Sequence, residues 1–263
     1  MEKLNVLKIG GNVIDDPRNM EQFLQDFAAI EGYKILIHGG GKIASRISLD
    51  LGIEAKLVEG RRITDAESLK VVTMVYAGLV NKSIVAQLQA KDCNAIGLCG
   101  ADGNLIKASK RPVKAIDYGF AGDLDNNSIA AGSLKKLLET GFIPVFSAIT
   151  HDGNGQLLNT NADTIASAIA VALSPYYGTS LVYCFDKKGV LENIENEDSV
   201  IREIRSSDFE SLKEKKIIAD GMIPKLHNAF QSINNGVREV YIGKAAELSF
   251  LNKNLSFGTR LIQ

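Results

Sequence analysis

Lys8-Ile9-Gly10-Gly11 and His38-Gly39-Gly40-Gly41 each close an apolar run, and a lysine stands inside the first. Glycines at the end of a buried strand let the backbone come close to a ligand, because no β-carbon stands in the way. Two such ends within the first forty-one residues suggest two neighbouring anion sites, and with Lys8 they point to phosphoryl chemistry. Three more groups carry reactive side chains. Leu158-Asn159-Thr160-Asn161-Ala162-Asp163 gathers two amides and a carboxylate at a helix start, where alone it reads as an N-cap. Asp220-Gly221-Met222-Ile223-Pro224-Lys225 sets a lysine in the first turn of a helix, against the helix dipole, which makes a purely structural role less natural. Cys184-Phe185-Asp186-Lys187-Lys188-Gly189-Val190-Leu191 ends a strand with acid, base and glycine, and its plainest reading is a charged turn.

Other chemistries compete. The pattern GxxxxGK[ST] is absent, which disfavours a Walker-type ATPase. Gly39-Gly40-Gly41-Lys42-Ile43-Ala44 fits GxGxxG/A, and Glu59 lies roughly where a ribose-binding acid would stand. An NAD-binding oxidoreductase is therefore one alternative, although it leaves Lys8-Ile9-Gly10-Gly11 unexplained. A non-catalytic metabolite sensor is another.

The elements that must hold these groups alternate. Leu4–Ile9 reads as a strand, Asn19–Glu31 as a helix, Lys34–His38 as a strand and Lys42–Leu51 as a helix. A βαβα opening implies a parallel sheet with helices on its faces. A long helix is expected over Asp65–Lys91 and a buried strand over Asn94–Cys99. Leu105 to about Asp123 suggests hairpins and turns off the main sheet. Helices follow at Ser128–Thr140, Ala162–Leu173 (led into by Gln156–Leu158) and Met222–Asn234, with strands at Phe142–Ser147, Ser180–Phe185, Arg238–Ile242 and Gly258–Ile262. With no Pro/Ser-rich linker, one doubly covered open sheet with two lobes is expected.

The balance of charge narrows the partners. Thirty Lys plus Arg face 31 Asp plus Glu in 263 residues, a net charge of −1, which argues against nucleic acid. The three cysteines form no CxxC pair and no closed disulfide framework, and Cys99 and Cys184, which end or nearly end apolar runs, are expected to be buried reduced thiols. No signal peptide is read at the N-terminus, and no stretch approaches the roughly twenty apolar residues that span a bilayer. A soluble, cytoplasmic protein with no membrane partner is expected.

Taken in order, the motifs carry a resemblance. Lys8-Ile-Gly-Gly11, His38-Gly-Gly-Gly41, Gly60-Arg-Arg62-Ile-Thr64, Leu158-Asn-Thr-Asn-Ala-Asp163, Asp220-Gly-Met-Ile-Pro-Lys225 and Gly258-Thr-Arg260 span nearly the whole chain. Together they resemble the amino-acid kinase family. The resemblance implies a three-layer α/β/α sandwich with an open, mainly parallel central sheet. It implies a single domain over 1–263, with an acylglutamate-binding lobe at about 1–175 and an ATP-binding lobe at about 176–263. It further implies transfer of the ATP γ-phosphoryl group to the side-chain carboxylate of an N-acylated glutamate in arginine biosynthesis. Acetyl is the usual acyl group. Succinyl is the alternative and would need a roomier pocket, for which Leu105–Asp123 is a candidate wall.

The residue roles follow from the same resemblance. Lys8 and Lys225 neutralise charge on the transferring group, and Asp163 holds the two lysines. Gly10 and Gly11 cradle ATP phosphates, while Gly40, Gly41, Arg62, Asn159 and Asn161 bind the acceptor. Asp186, Lys187, Lys188, Gly189, Val190 and Leu191, with Ile217, Ile218 and Ala219, match the adenine-nucleotide lobe. Many members read Thr/Ser-Asp-Val-x-Gly where this chain has Phe185-Asp186-Lys187-Lys188-Gly189, so Lys187 and Lys188 contact phosphate or are solvated. Mg²⁺ is expected to be held mainly by ATP and water, with no metal ligands from the protein. His38 is expected to be structural through its ring hydrogen bonds. Arginine-inhibited members carry a helix before the first strand, which here begins at about Leu4, so an arginine-insensitive homodimer is expected.

Overall fold

The computed structural model describes residues 1–58, 60–193, 195–214, 217–218, 222–253 and 255–263. The strands, in chain order, are β1 (Lys3–Ile9), β2 (Tyr33–His38), β3 (Leu57–Val58), β4 (Arg61–Arg62), β5 (Ala95–Leu98), β6 (Ser109–Lys110) and β7 (Ala121–Asp123). They continue with β8 (Ile143–Ser147), β9 (Ile149–His151), β10 (Leu157–Thr160), β11 (Gly178–Phe185), β12 (Glu203–Arg205), β13 (Glu239–Lys244) and β14 (Thr259–Ile262). The chain forms two compact units, one of Met1–Lys34 with Ile169–Gln263 and one of Ile35–Ala168. The first 34 residues thus group with the C-terminal part, and the other junction falls near the lobe boundary expected at about residue 175.

In the first unit the strand order is β12-β14-β13-β11-β1. Every pair is parallel except β13 with β14. β11 is buried along nearly its whole length, as a parallel strand covered on both faces must be. Beside this sheet the helix Pro17–Ala28 begins on Asp16, whose carboxylate accepts from the Arg18 and Asn19 N–H groups, with Pro17 in the first turn. Its apolar stripe buries Phe23, Leu24 and Phe27. Its end is closed by the buried Lys34, whose Nζ donates to the Ala28 and Ile30 carbonyls at 2.7 Å each.

The second unit has a parallel set in the order β2-β8-β5, aligned by Leu36 with Val145 and by Gly97 with Val145. A smaller sheet runs β6-β7-β10-β9, and β3 and β4 form an antiparallel ribbon. The turn-rich Leu105–Asp123 segment supplies β6 and β7 of that sheet, as its composition suggested. Gln156–Leu158, expected to lead directly into a helix, instead enters β10, because Leu158 and Thr160 point inward beside β7 and β9. The ribbon β3–β4, β9 and β12 have two or three residues each, too few for a period to show in sequence.

The long expected helix is present but changes pitch. It runs as Ala66–Val72, then as π-helix over Thr73–Val80, then as Asn81–Gln89. By length and composition alone it passes for a membrane span. Its buried face of Leu69, Val72, Val75, Ile84 and Leu88, with the fully buried Asn81, makes it instead the core helix of this unit.

Candidate active site

In the first unit, β1 ends at Ile9 and the backbone turns at Gly10, whose N–H donates to the Cys184 carbonyl at 3.0 Å. A β-carbon on Gly10 would lie 3.5 Å from that carbonyl oxygen and 3.7 Å from the Phe185 ring. Parallel pairing sets Lys8 opposite Tyr183, and side chains two apart on a strand share a face, so Lys8, Tyr183 and Phe185 rise from the same side of the sheet. Lys8 Nζ lies 5.4 Å from the Phe185 ring centroid, and Lys225 Nζ, from the first turn of Ile223–Asn234, lies 4.0 Å from it. Two lysines 217 positions apart thereby both approach one aromatic ring.

The rest of the expected nucleotide segment sits in the same unit. Asp186 accepts from Asn12 Nδ2 at 3.0 Å, which ties the turn after β1 to the end of β11. Lys187 and Lys188 are paired with Glu197 (3.5 Å) and Asp198 (2.6 Å). Gly189 has no room for a side chain, since a β-carbon would stand 2.7 Å from Thr259 Oγ1. The Val190 N–H donates to that same hydroxyl, and Leu191 bridges to Val200. Ile217 donates to the Leu212 carbonyl and Ile218 is buried. Ala219 lies outside the described residues, as do Asp220 and Gly221 of the lysine motif and Glu59. Among the described residues no three of His, Cys, Asp or Glu come together as a metal cage.

In the second unit, β2 delivers the chain to Gly39–Gly41. Gly40 has φ +149°, and a β-carbon there would stand 3.0 Å from Tyr76 Cδ1, so both backbone and space demand glycine. Tyr76 and Val80, four apart in the π-helical stretch, together close this side of the turn. His38 is fully buried just before it. Its Nδ1–H donates to the Gly39 carbonyl at 2.8 Å and its Nε2 accepts from Asn81 Nδ2 at 3.0 Å. Burial pushes the His38 pKa down to about 4, against the raising effect of the Gly39 carbonyl, so the ring is neutral. These are the ring hydrogen bonds expected of it. The same Asn81 amide donates to the Val145 carbonyl at 2.9 Å.

Arg62, on β4, is buried across from this turn. Its Nη2 donates to the Gly41 carbonyl at 2.9 Å and to Ser45 Oγ at 2.6 Å. Its Nη1 is buried and has no hydrogen-bond partner among the described residues. Burial raises the pKa of neighbouring Tyr76, against the pull of Arg62. Arg62 lines an open pocket of about 360 Å³, together with Arg61, Arg111, Tyr118, Asn159 and Asn161. Arg111 grips Asp123 through Nε, 3.0 and 3.1 Å from the two carboxylate oxygens, and through Nη2, and its guanidinium lies 5.2 Å from the Tyr118 ring centroid.

The two amides divide the work. Asn159, at the end of β10, donates from Nδ2 to Thr64 Oγ1 at 3.0 Å. Asn161 Oδ1 accepts from the N–H groups of Asp163 (2.8 Å) and Thr164 (3.1 Å), capping Ala162–Leu173 as the sequence alone suggested. Asp163 follows in the first turn of that helix and belongs to the second unit, whereas Lys8 and Lys225 belong to the first. Sequence reasoning does not single out Asn12, Ser45, Tyr76, Asn81, Arg111 or Tyr118. Each acts through a partner remote in sequence, and no local pattern marks it.

The sequence profile of the Amino acid kinase family matches residues 3–244. The chain belongs to the amino acid kinase family. Among its relatives, the acetylglutamate kinase of Cytophaga hutchinsonii is 54% identical over 264 residues, covering 100% of this chain and 99% of that one. The acetylglutamate kinase of Bacteroides thetaiotaomicron is 55% identical over 247 residues, covering 94% and 95%. The structure of N-acetylglutamate synthase from Neisseria gonorrhoeae, complexed with coenzyme A and N-acetyl-glutamate, matches with a TM-score of 0.82 at 20% identity. It covers 100% of this chain, which spans 59% of that one, and likeness at such identity speaks for the fold alone. The amino acid kinase fold, α/β with a mostly parallel sheet, displaces the dinucleotide-fold reading of Gly39–Ala44.

Proposed function

We propose that this amino acid kinase transfers the γ-phosphoryl group of ATP to the side-chain carboxylate of N-acetyl-L-glutamate, giving the acyl phosphate and ADP. The observation that carries the acceptor assignment is Arg62. Its guanidinium lines the pocket, held by Gly41 and Ser45 and set beside the Tyr76 hydroxyl. A guanidinium fixed in a pocket wall suits an anion, and a carboxylate matches its planar geometry. Near full-length identity of 54–55% to acetylglutamate kinases supports the same reading.

The reaction balances without a base. The attacking carboxylate is ionised at neutral pH, an oxygen–phosphorus bond forms as the bond from the γ-phosphorus to the β-γ bridging oxygen breaks, and the electron pair leaves with ADP. What remains is bringing two anions together, which positioning and fixed positive charge achieve. Lys8 and Lys225 supply that charge, and Asp163 keeps the role of holding them that the family resemblance implies. The Gly10–Gly11 turn receives the ATP phosphates, with Asp186–Leu191 and Ile217–Ala219 around the nucleotide. Mg²⁺ arrives with ATP, held mainly by nucleotide oxygens and water. Gly40, Gly41, Asn159 and Asn161 bind the acceptor with Arg62. Lys187 and Lys188, paired with Glu197 and Asp198, brace the loop rather than the phosphates. We place the enzyme in the cytoplasm as a homodimer, for which the exposed Met74 and Leu79 of the long helix offer an apolar face.

The test is ADP release with N-acetyl-, N-succinyl- and free glutamate in the presence of Mg-ATP. N-acetylglutamate should be preferred, and preference for free glutamate would overturn the acceptor assignment. Lys8→Ala and Lys225→Ala, measured separately, should each abolish turnover while the melting midpoint survives; normal turnover in either removes the two-lysine mechanism.

A further inference from the structure

We propose that Phe185 is a positioning residue for phosphoryl transfer, its ring being the platform on which the ammonium groups of Lys8 and Lys225 are held. This rests on the reading of those two lysines as the charge-neutralising pair. Both Nζ atoms lie over the ring at 5.4 and 4.0 Å from its centroid, inside the roughly 6 Å within which an aromatic face attracts a cation. The ring is itself fixed. It stacks on the buried Tyr183 ring, with centroids 6.1 Å apart and planes at 17°, and it stands beside the Gly10 turn.

The chemistry of the ring suits the task. Two ammonium groups brought near each other repel. An aromatic face attracts each cation through its quadrupole. The aromatic residue at the strand end, where Thr or Ser stands in many members, thus gains a physical reason.

The test compares Phe185→Leu, which keeps bulk but removes the quadrupole, with Phe185→Tyr, which restores it. Phe185→Leu should lower kcat about tenfold, the scale of one ammonium–ring attraction, with KM for ATP and N-acetylglutamate within about twofold. Phe185→Tyr should recover most of the loss. The ε-methylene signals of Lys8 and Lys225, assigned by loss in the alanine variants, should be shifted upfield by the ring current in the wild-type protein and return toward ordinary positions in Phe185→Leu. Phe185→Met serves the same comparison should the leucine variant fold poorly. Absence of the upfield shift in the wild type, a kcat unchanged in Phe185→Leu, or a tyrosine variant as slow as the leucine one overturns the proposal. The two ideas fail separately. Active lysine variants remove the underlying mechanism, whereas inactive lysine variants beside a fully active Phe185→Leu remove only the role of Phe185.

Discussion

Acidification should destabilise this protein well above the range where carboxylates titrate, and His38 is the reason. In the folded chain its ring is fully buried, with Nδ1–H given to Gly39 and Nε2 occupied by Asn81, and burial pushes its pKa from the ordinary 6.5 down to about 4. The unfolded chain therefore binds a proton on this group at a higher pH than the folded chain does. Stability is fully present above the unfolded value, falls as pH drops from there toward about 4, and then levels off. Between about pH 8 and about pH 5.5 the unfolded ring becomes largely protonated while the folded ring stays neutral, a loss of about 1 kcal/mol, or roughly a tenfold fall in the folding constant. The full gap corresponds to about 3 kcal/mol. Urea unfolding at the two pH values, in wild type and in His38→Gln, reads this directly. The glutamine keeps an acceptor for Asn81 but cannot titrate, so its stability should change less over the interval by the stated amount. Other groups act alike in both proteins and cancel. Asp65 and Asp198, held below the usual range by the Ser68 backbone N–H and by Lys188, lose their contribution only at lower pH. Asp26, raised by burial, acts in the opposite direction. Equal pH slopes in wild type and variant would refute the argument.

The paired amides should separate under mutation. Asn161→Ala removes the cap on Ala162–Leu173 and should cost about 1 kcal/mol in chemical denaturation. Asn159→Ala should chiefly raise KM for the acylglutamate in steady-state assays, since its amide faces the pocket beside Thr64. Burial pushes the Cys184 thiol up to about 12, so iodoacetamide at neutral pH should leave it unmodified in the native protein, as read by mass spectrometry, and modify it after unfolding.

Much of the fold is legible because its long elements carry their period openly. The β1, β2 and β11 strands each carry a buried apolar run, and the helices Pro17–Ala28 and Ile223–Asn234 keep a clear stripe. What sequence conceals is of two kinds. The π-helical stretch at Thr73–Val80 sets Tyr76 and Val80 beside Gly40, a contact that no window of neighbours contains. The short strands β9 and β12 exist because longer strands offer them edges. The site divides in the same way. Gly40 and Arg62 stand in motifs, and Asn161 behaves as its local chemistry dictates. That Phe185 gathers Lys8 and Lys225 depends on strand register and on a helix forty residues further on. Arg111 declares itself only when its neighbour Asp123 and the Tyr118 ring are seen around it.

Arg62 is anchored before any ligand arrives. A free arginine side chain carries about 2 kcal/mol of rotamer entropy, and here Gly41 and Ser45 remove that freedom during folding. If Arg62 receives the acceptor carboxylate as proposed, binding meets an immobile fork, so the association step needs no search by this side chain and affinity is set by how long the carboxylate stays. The same rigidity makes the pocket intolerant. An amide in place of the carboxylate would bring N–H groups against a donor that cannot swing away, and the analogue would be rejected more strongly than the loss of one charge implies.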